Sequence, residues 1–382
     1  MAASHSLREV ARVFLTLGTT AFGGPAAHVA AMEDELVTRR RWIGRDEFAD
    51  LVGAANLIPG PNSTELAIHL GYRRAGWAGL LVAGSCFIVP AVVLVWLFAM
   101  AYVQFGTRVE VAAMLQGMQP AVLAVVVQAI WRLKGSLVRS RLGLAMAMVA
   151  FGGAMAGVSE LLLLLVAIGV ALAWAVWGAS GGNASTHGGM APPLLLAAPG
   201  TLPVVASGPA LGVAGIFTSF LKIGGVLIGS GYVLLAFLRG EFVERLGVLS
   251  EAQLLDAIAI GQVTPGPVFS AATFIGYILA GHAGAAAATA GIFLPAFVAV
   301  ALTAPLVRQL RRSTIASRAL DAVNAVSLAL MAAVVVLMAR GIALDVPSLA
   351  ILLGASLLLL RTSVGAGWVL LGGALAGLVH LL

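Results

Sequence analysis

The stretch at 14–90 recurs at 220–295, and each copy carries Pro-Gly-Pro inside an apolar segment, at Pro59-Gly60-Pro61 and Pro265-Gly266-Pro267. At a shift of 206, Phe14 aligns with Phe220, Gly18 with Gly224, Gly23 with Gly229, Glu35 with Glu241, Asp50 with Asp256 and Asn56 with Gln262. One residue is lost after the triplets, so Gly71-Tyr72, Ala75-Gly76, Gly79 and Pro90 align with Gly276-Tyr277, Ala280-Gly281, Gly284 and Pro295 at a shift of 205. Chance matching in a Gly/Ala/Leu-rich chain would not put acids and prolines in register. The expected organisation is two homologous halves, 1–178 and 208–382, joined by a Gly/Ser/Pro-rich linker at 179–207 without Lys, Arg, Asp or Glu.

Composition sets the solvent. With 60% apolar and 10% charged residues and a mean hydropathy of +1.03, the chain has more apolar surface than a soluble domain can hide. Stretches without charge at 80–103, 142–158, 161–178, 283–304 and 364–382 approach the roughly 20 residues that cross a bilayer as helix. The predicted fold is an all-α polytopic membrane protein with about 10 transmembrane helices plus broken or re-entrant ones. The start, MAASHSLREVARVF, lacks the layout of a cleavable signal, so the first apolar stretch is expected to stay in the mature chain. Cys86 is the sole cysteine, which excludes disulfides within the chain and cysteine-built metal sites; it is expected to fill space. Neither a metal site nor a cofactor is expected.

Cytoplasmic loops collect Lys and Arg. In the first half the connection after segment one holds Arg39, Arg40, Arg41 and Arg45, that after segment two Arg73 and Arg74, that after segment four Arg132, Lys134, Arg139 and Arg141, and that after segment three only Arg108. In the second half the order inverts. Arg308, Arg311, Arg312 and Arg318 follow segment three, only Arg340 follows segment four, and no basic residue follows segment two. This pattern predicts an inverted-topology repeat about an axis in the membrane plane. Each half reads as six apolar segments, whereas inversion needs an odd number of crossings. Segment two, 46–72, is broken at IPGPNSTE and flanked by arginines, so it is expected to be a re-entrant hairpin. In the alternative, segment one is re-entrant as well and 192–207 supplies an extra crossing.

A broken helix leaves free N–H groups and a positive dipole end, which attract anions. The first-half turn offers Pro59, Gly60, Pro61, Asn62, Ser63 and Thr64, with side chains that can cap a helix or donate to an oxyanion. The second offers Pro265, Gly266, Pro267 and Ser270 around apolar Val268 and Phe269. Segment one adds Phe22-Gly23-Gly24-Pro25 against Ile228-Gly229-Ser230-Gly231. Four symmetry-related breaks are expected to meet near the midplane as a substrate site. The plainer alternative is that they only let helices kink and pack.

Charges inside apolar segments cost roughly 2.5 to 3.5 kcal/mol each and mark pathways. Lys222 is the clearest, and it is expected to contact the anion unless it pairs with an acid or reaches an interface. His28, Glu65, Asp50 and Asp256 are the proton-coupling candidates; for the two aspartates the competing role is capping the hairpin, just ahead of Asn56 and Gln262. Glu35 and Glu241 are expected to pair with Arg39 and Arg245. Arg39, Arg40 and Arg41 set topology and form a basic cytoplasmic mouth. The sequence pI near 10.2 needs no nucleic-acid partner.

The segment FGGPAAHVAAMEDELVTRRRWIGRDEFADLVGAANLIPGPNSTELAIHLGYRRAG closely resembles the amino-terminal signature of the chromate ion transporter family, and QVTPGPVFSAATFIGY is similar to its second signature. The resemblance spans the whole chain in the family's two-domain long form. It implies a multi-pass bacterial inner-membrane protein that exports chromate, with sulfate as a similar anion and the proton gradient as driving force. The family's functional positions fall on Phe22, Gly23, Gly24, Pro25, His28, Arg41, Asp50, Asn56, Pro59, Gly60, Pro61, Asn62 and Thr64, with Lys222, Gly229, Pro265, Gly266 and Pro267 in the second half. A homodimer is left open. The assignment is physically coherent, because a tetrahedral dianion wants several N–H and O–H donors plus a positive charge. A membrane-embedded enzyme is disfavoured, since no HExxH, GxSxG or clustered Asp motif occurs.

Overall fold

The computed structural model describes residues 2–22, 24–56, 58–137, 141–180, 211–227, 233–306, 314–341, 345–362 and 364–381, and among them there is no strand. α1 (Ala2–Thr20) is followed by α2 (Pro25–Glu33), which runs on into a π-helical turn (Asp34–Arg39). Pro25 opens α2, a position where its missing N–H costs nothing. Next come α3 (Arg45–Ala55), the first Pro-Gly-Pro turn, and α4 (Ser63–Phe105). α4 has two arms, 63–74 and 77–105, because Ala75 (φ −143°, ψ 25°) and Gly76 (φ 61°, ψ −149°) leave helical torsions. α5 (Val109–Leu137), α6 (Arg141–Met155) and α7 (Glu160–Ser180) follow. The second half repeats the order. It comprises α8 (Val213–Val226), α9 (Leu234–Leu238) with a π-helical turn (Arg239–Arg245), α10 (Glu251–Val263), α11 (Ala271–Thr303), α12 (Thr314–Gly341), α13 (Val346–Arg361) and α14 (Ala366–Leu381).

The repetition reaches the backbone torsions. Ala280 (φ −149°, ψ 32°) and Gly281 (φ 58°, ψ −145°) divide α11 into arms at 271–279 and 282–303, as Ala75 and Gly76 divide α4. Only glycine adopts this positive-φ conformation at little cost.

Ion pairs fix which ends meet. Arg73, closing the first arm of α4, reaches Glu47 at the start of α3 (2.5 Å). The 45–74 segment therefore enters and leaves on one face, as the arginines at both its ends led one to expect. Glu9 of α1 pairs with Arg40 beyond α2 (3.2 Å) and with Arg74 (2.9 Å), so segment one folds back onto the same face too. This is the second of the two readings of segment one; the 192–207 stretch that it assigns to an extra crossing lies outside the described residues. On the other half, Arg239 pairs with Glu251 (2.7 Å). These positions are equivalent to Glu33 and Arg45, which pair at 3.7 Å with the charges exchanged.

The second arms of α4 and α11 lie side by side and antiparallel. A Cβ on Gly84 would touch the Phe297 ring, whereas further along α4 the Trp96 Nε1–H donates to His282 Nδ1 at the start of the α11 arm (3.1 Å). Equivalent helices packed antiparallel are related by a two-fold axis perpendicular to both, and for helices crossing a bilayer that axis lies in the membrane plane. Beyond these arms the halves interlock, with α5 packed on α13 and α14, and α12 on α6 and α7. Small residues permit it. A Cβ on Gly117 would stand 2.2 Å from the Gly373 carbonyl oxygen, the close backbone approach by which helices associate in lipid.

Among the described residues four spans, 63–105, 109–132, 268–303 and 321–340, are long and apolar enough to cross a membrane, and five shorter apolar helices accompany them. Trp77, Leu81, Val89, Val93 and Leu97 form an exposed stripe at spacings of four or eight residues along α4, a face that suits hydrocarbon and not water. The protein is an all-α polytopic membrane protein.

Candidate functional site

Helix breaks of the two halves are hydrogen-bonded to each other. The Gly60 N–H donates to the Leu227 carbonyl (2.7 Å), and the Gly266 N–H donates to the Ala21 carbonyl (3.0 Å). Gly60 and Gly266 are equivalent, as are Ala21 and Leu227. Each Pro-Gly-Pro turn is thus bonded to the segment-one break of the opposite half. Both glycines have positive φ, +135° and +94°. A Cβ on Gly266 would stand 2.9 Å from Ala91 Cβ and 3.2 Å from the Gly18 carbonyl oxygen; one on Gly60 would stand 1.8 Å from Glu65 Oε1. Gly23, Gly229 and Ser230 lie outside the described residues, so their part in the meeting point is not described.

The first-half turn is the polar one. Asn62 sits at φ +40°, a left-handed conformation that asparagine tolerates better than most residues, and it makes no side-chain cap bond to α4. The Ser63 N–H turns back to the Pro61 carbonyl, and the first helical bond runs from the Leu66 N–H to the Asn62 carbonyl (3.0 Å). The N–H groups of Thr64 and Glu65 therefore have no intrahelical acceptor. Thr64 and Glu65 are fully buried, and neither the Thr64 hydroxyl nor either Glu65 carboxyl oxygen has a hydrogen-bond partner from another described residue.

His28 ties this turn to the break in segment one. Its Nδ1 lies 3.2 Å from Ser63 Oγ and its Nε2 lies 3.2 Å from the Ala21 carbonyl oxygen, with the ring edge-on to Phe87. Ser63 Oγ also lies 3.1 Å from the Pro61 carbonyl. A doubly protonated imidazole satisfies every partner, donating to Ser63 and to Ala21 while the Ser63 hydroxyl donates to Pro61. A neutral ring that accepts at Nδ1 takes the serine proton away from Pro61. One hydroxyl therefore links the charge on His28 to the geometry of the turn.

The second half lacks this equipment. Leu234 stands where the first half has His28, Phe269 where it has Ser63, and Ala271 where it has Glu65; Ser270, equivalent to Thr64, keeps a buried hydroxyl without a partner among the described residues. His69, one turn beyond Glu65, also buries an Nε2 without a partner among the described residues. Sequence reasoning passed over it, although its four-residue spacing from Glu65 on one helix was the available signal.

Other candidates lie elsewhere. Lys222 pairs with Glu241 (3.4 Å), which also binds Ser219 (3.0 Å) and Arg245 (2.8 Å). Lys222, Glu241 and Arg245, with Glu160 and Glu244, line a cavity of about 430 Å³, so the expected anion-contacting cation has a carboxylate partner. The expected pairings of Glu35 with Arg39 and of Glu241 with Arg245 are present. Asp256 does not cap α10, because that cap is a box formed by Ser250 and Gln253. Its buried carboxylate accepts from Tyr102 (3.0 Å) and Gln119 (3.1 Å), joining α10 to α4 and α5. Asp50 is half-buried on α3, which Gly44 precedes as N-cap. Asn56 ends α3, and Gln262 is buried in the last turn of α10. Arg39 and Arg40 are taken up by Asp34, Glu35 and Glu9 at the first face, where Arg41 is exposed. Among the described residues no group of His, Cys, Asp and Glu is arranged to hold a metal.

Comparison with known proteins identifies the family. The family model described as chromate transporter matches residues 8–174 and again 214–378. A chromate transport protein of Cupriavidus metallidurans is 31% identical over 99% of this chain and 94% of its own length. One of Pseudomonas aeruginosa is 32% identical over 74% of this chain and 69% of its own, and a probable chromate transport protein of Synechococcus elongatus is 29% identical over 90% and 88%. No solved structure matches significantly. With the family model covering both halves, the chain belongs to the chromate transporter family.

Proposed function

We propose that the protein is a secondary transporter that carries chromate outward across the bacterial inner membrane, holding the dianion at the start of the first arm of α4, with proton movement linked to the cycle. What supports this reading is the crossover itself. Gly60 and Gly266 lock each Pro-Gly-Pro turn against the opposite half, and the Thr64 and Ser270 hydroxyls are left buried without partners among the described residues. Each unmet buried polar group costs about 1–3 kcal/mol, a cost that an oxyanion at the turn recovers. Pro59, Pro61, Pro265 and Pro267 shape the turns, and Asn62, Ser63 and Thr64 supply donors.

The relatives in Cupriavidus metallidurans and Pseudomonas aeruginosa are named for chromate transport, which favours chromate as the anion. The face gathering Arg39, Arg40, Arg41, Arg73 and Arg74 is the cytoplasmic one by the positive-inside rule. An inside-negative potential then drives a dianion outward at about 2.3 kcal/mol per charge per 100 mV. Sulfate has the same shape and charge and is expected to compete.

Chromate flux in vesicles containing the purified protein tests the reading. The expected result is chromate movement that follows an imposed potential, accumulates chromate against its gradient and responds to an imposed pH difference. Sulfate flux without chromate flux would make sulfate the substrate. Flux that never opposes the chromate gradient and ignores pH would make the protein a channel.

A further inference from the structure

Glu65 stands where the anion would have to go. A Cβ on Gly60 would lie 1.8 Å from Glu65 Oε1 and 2.7 Å from its Cδ, so the carboxyl group rests directly on the Gly60 Cα. It is fully buried, and neither oxygen has a hydrogen-bond partner from another described residue. A carboxylate so placed competes for space and charge with any oxyanion approaching the N–H groups that begin the first arm of α4, ahead of the first helical bond at Leu66. Both are negative, and both want the same donors. A protonated carboxyl changes the sign of that encounter, since its O–H donates to the oxyanion.

We propose that Glu65 is the proton-carrying gate of the Gly60 turn: as a carboxylate it excludes the oxyanion, as a carboxylic acid it donates to it, and one proton is therefore taken up with each dianion bound. The proton comes from solvent and no other bond is made or broken. This deepens the transporter reading and rests on it.

The surroundings leave Glu65 as the group that answers. α2 brings His28, which is held by Ser63 and Ala21. α4 itself brings His69, one turn on. α8 brings Lys222, paired with Glu241, and the second arm of α11 brings His282, bound to Trp96 at its far end. α3 brings Asp50 at mid-helix. The Glu65 carboxyl hydrogen-bonds to no other described residue and rests on Gly60.

The consequence concerns driving force. Proton and dianion occupy the site together, so the translocated unit carries one net negative charge instead of two. The membrane potential still drives it outward, while an inward proton gradient opposes export, contrary to simple proton exchange.

The test is chromate binding to the intact protein in lipid nanodiscs at several pH values, with affinity referred to the free dianion because chromate itself protonates in this range. In the unsubstituted protein the dissociation constant is expected to rise about tenfold per pH unit on the alkaline side, the slope of one linked proton. Glu65→Gln, whose amide donates at every pH, is expected to bind tightly with no slope. A slope that survives in Glu65→Gln, or a slope of opposite sign, overturns the proposal. So does a slope lost in His28→Gln and kept in Glu65→Gln, which would put the proton on the imidazole. Should Glu65→Gln fail to fold, proton uptake on adding chromate to the unsubstituted protein in weak buffer decides. One proton per anion is expected, and none, or release, refutes it. Absence of chromate binding at every pH would instead sink the underlying site.

Discussion

Gly60→Ala is expected to abolish chromate transport while leaving a folded protein. The new Cβ would enter a position at φ +135°, a conformation costing a side chain about 1–3 kcal/mol. It would also stand 1.8 Å from Glu65 Oε1. The nearest obstacle is the far end of a flexible side chain, so the protein can yield, but only by driving the carboxyl out of its place over the turn. A loss of about 100-fold or more in initial flux is expected, the scale of about 3 kcal/mol at the site. Gly266→Ala is expected to fail differently, since its Cβ would meet Ala91 Cβ at 2.9 Å and the Gly18 carbonyl at 3.2 Å, which belong to packed helices and cannot step aside. Less folded protein should be recovered. Flux assays paired with detergent-solubilised yield separate the two outcomes, and normal flux in Gly60→Ala would contradict an anion site at the Gly60 turn.

Gly79→Leu is expected to be the most damaging change to the fold. The first arm of α4 turns at Ala75-Gly76 and the second arm runs back beside it, so closely that a Cβ on Gly79 would stand 2.1 Å from the Gly71 carbonyl oxygen and 2.8 Å from Ala75 Cβ. The equivalent Gly284 would stand 2.1 Å from the Gly276 carbonyl oxygen. Opening this hairpin would move the Pro-Gly-Pro turn away from Leu227. The cost should reach about 3 kcal/mol, the upper end of ordinary overpacking, seen as a lowered unfolding midpoint in detergent. Gly76→Ala provides the contrast. Its Cβ would meet nothing within 4 Å, so only the strain of φ 61° remains and the loss should be smaller. Equal losses would show that conformation, and not the close approach, governs the turn.

What the amino-acid sequence made legible was written in short-range chemistry. Proline and glycine weaken helices, so the Pro-Gly-Pro turns were visible as breaks and repetition gave them symmetry; the Ala75-Gly76 and Ala280-Gly281 turns showed only as aligned pairs, and Pro90, Pro120 and Pro295 stand inside helices. Arginines at both ends of 46–72 implied a hairpin, which Arg73 and Glu47 close. Segment one stayed ambiguous because its pieces on either side of Phe22-Gly23-Gly24-Pro25 have lengths that suit a hairpin or a crossing. Only the tertiary pairing of Glu9 with Arg40 and Arg74 decides it. The acceptors at the meeting point were invisible for another reason. They are the backbone carbonyls of Ala21 and Leu227, and a carbonyl leaves no trace in residue type. Of the two roles left open for Lys222 the structure shows the pairing with an acid, whose identity was hidden because Glu241 lies across a helix break with no fixed spacing to announce it. Asp256 likewise gains Tyr102 and Gln119 from distant helices.

One oxyanion site at the first-half turn, shaped by the crossover of two inverted halves, is the central claim. Chromium locates itself by anomalous X-ray scattering, so crystals grown with chromate test that claim most directly. The expected result is a chromium peak above Gly60 that places the anion's oxygens within hydrogen-bonding distance of the Thr64 N–H and hydroxyl. A peak in the cavity of Lys222, Glu241 and Arg245, or among Arg39, Arg40 and Arg41, with none at the turn, would contradict it.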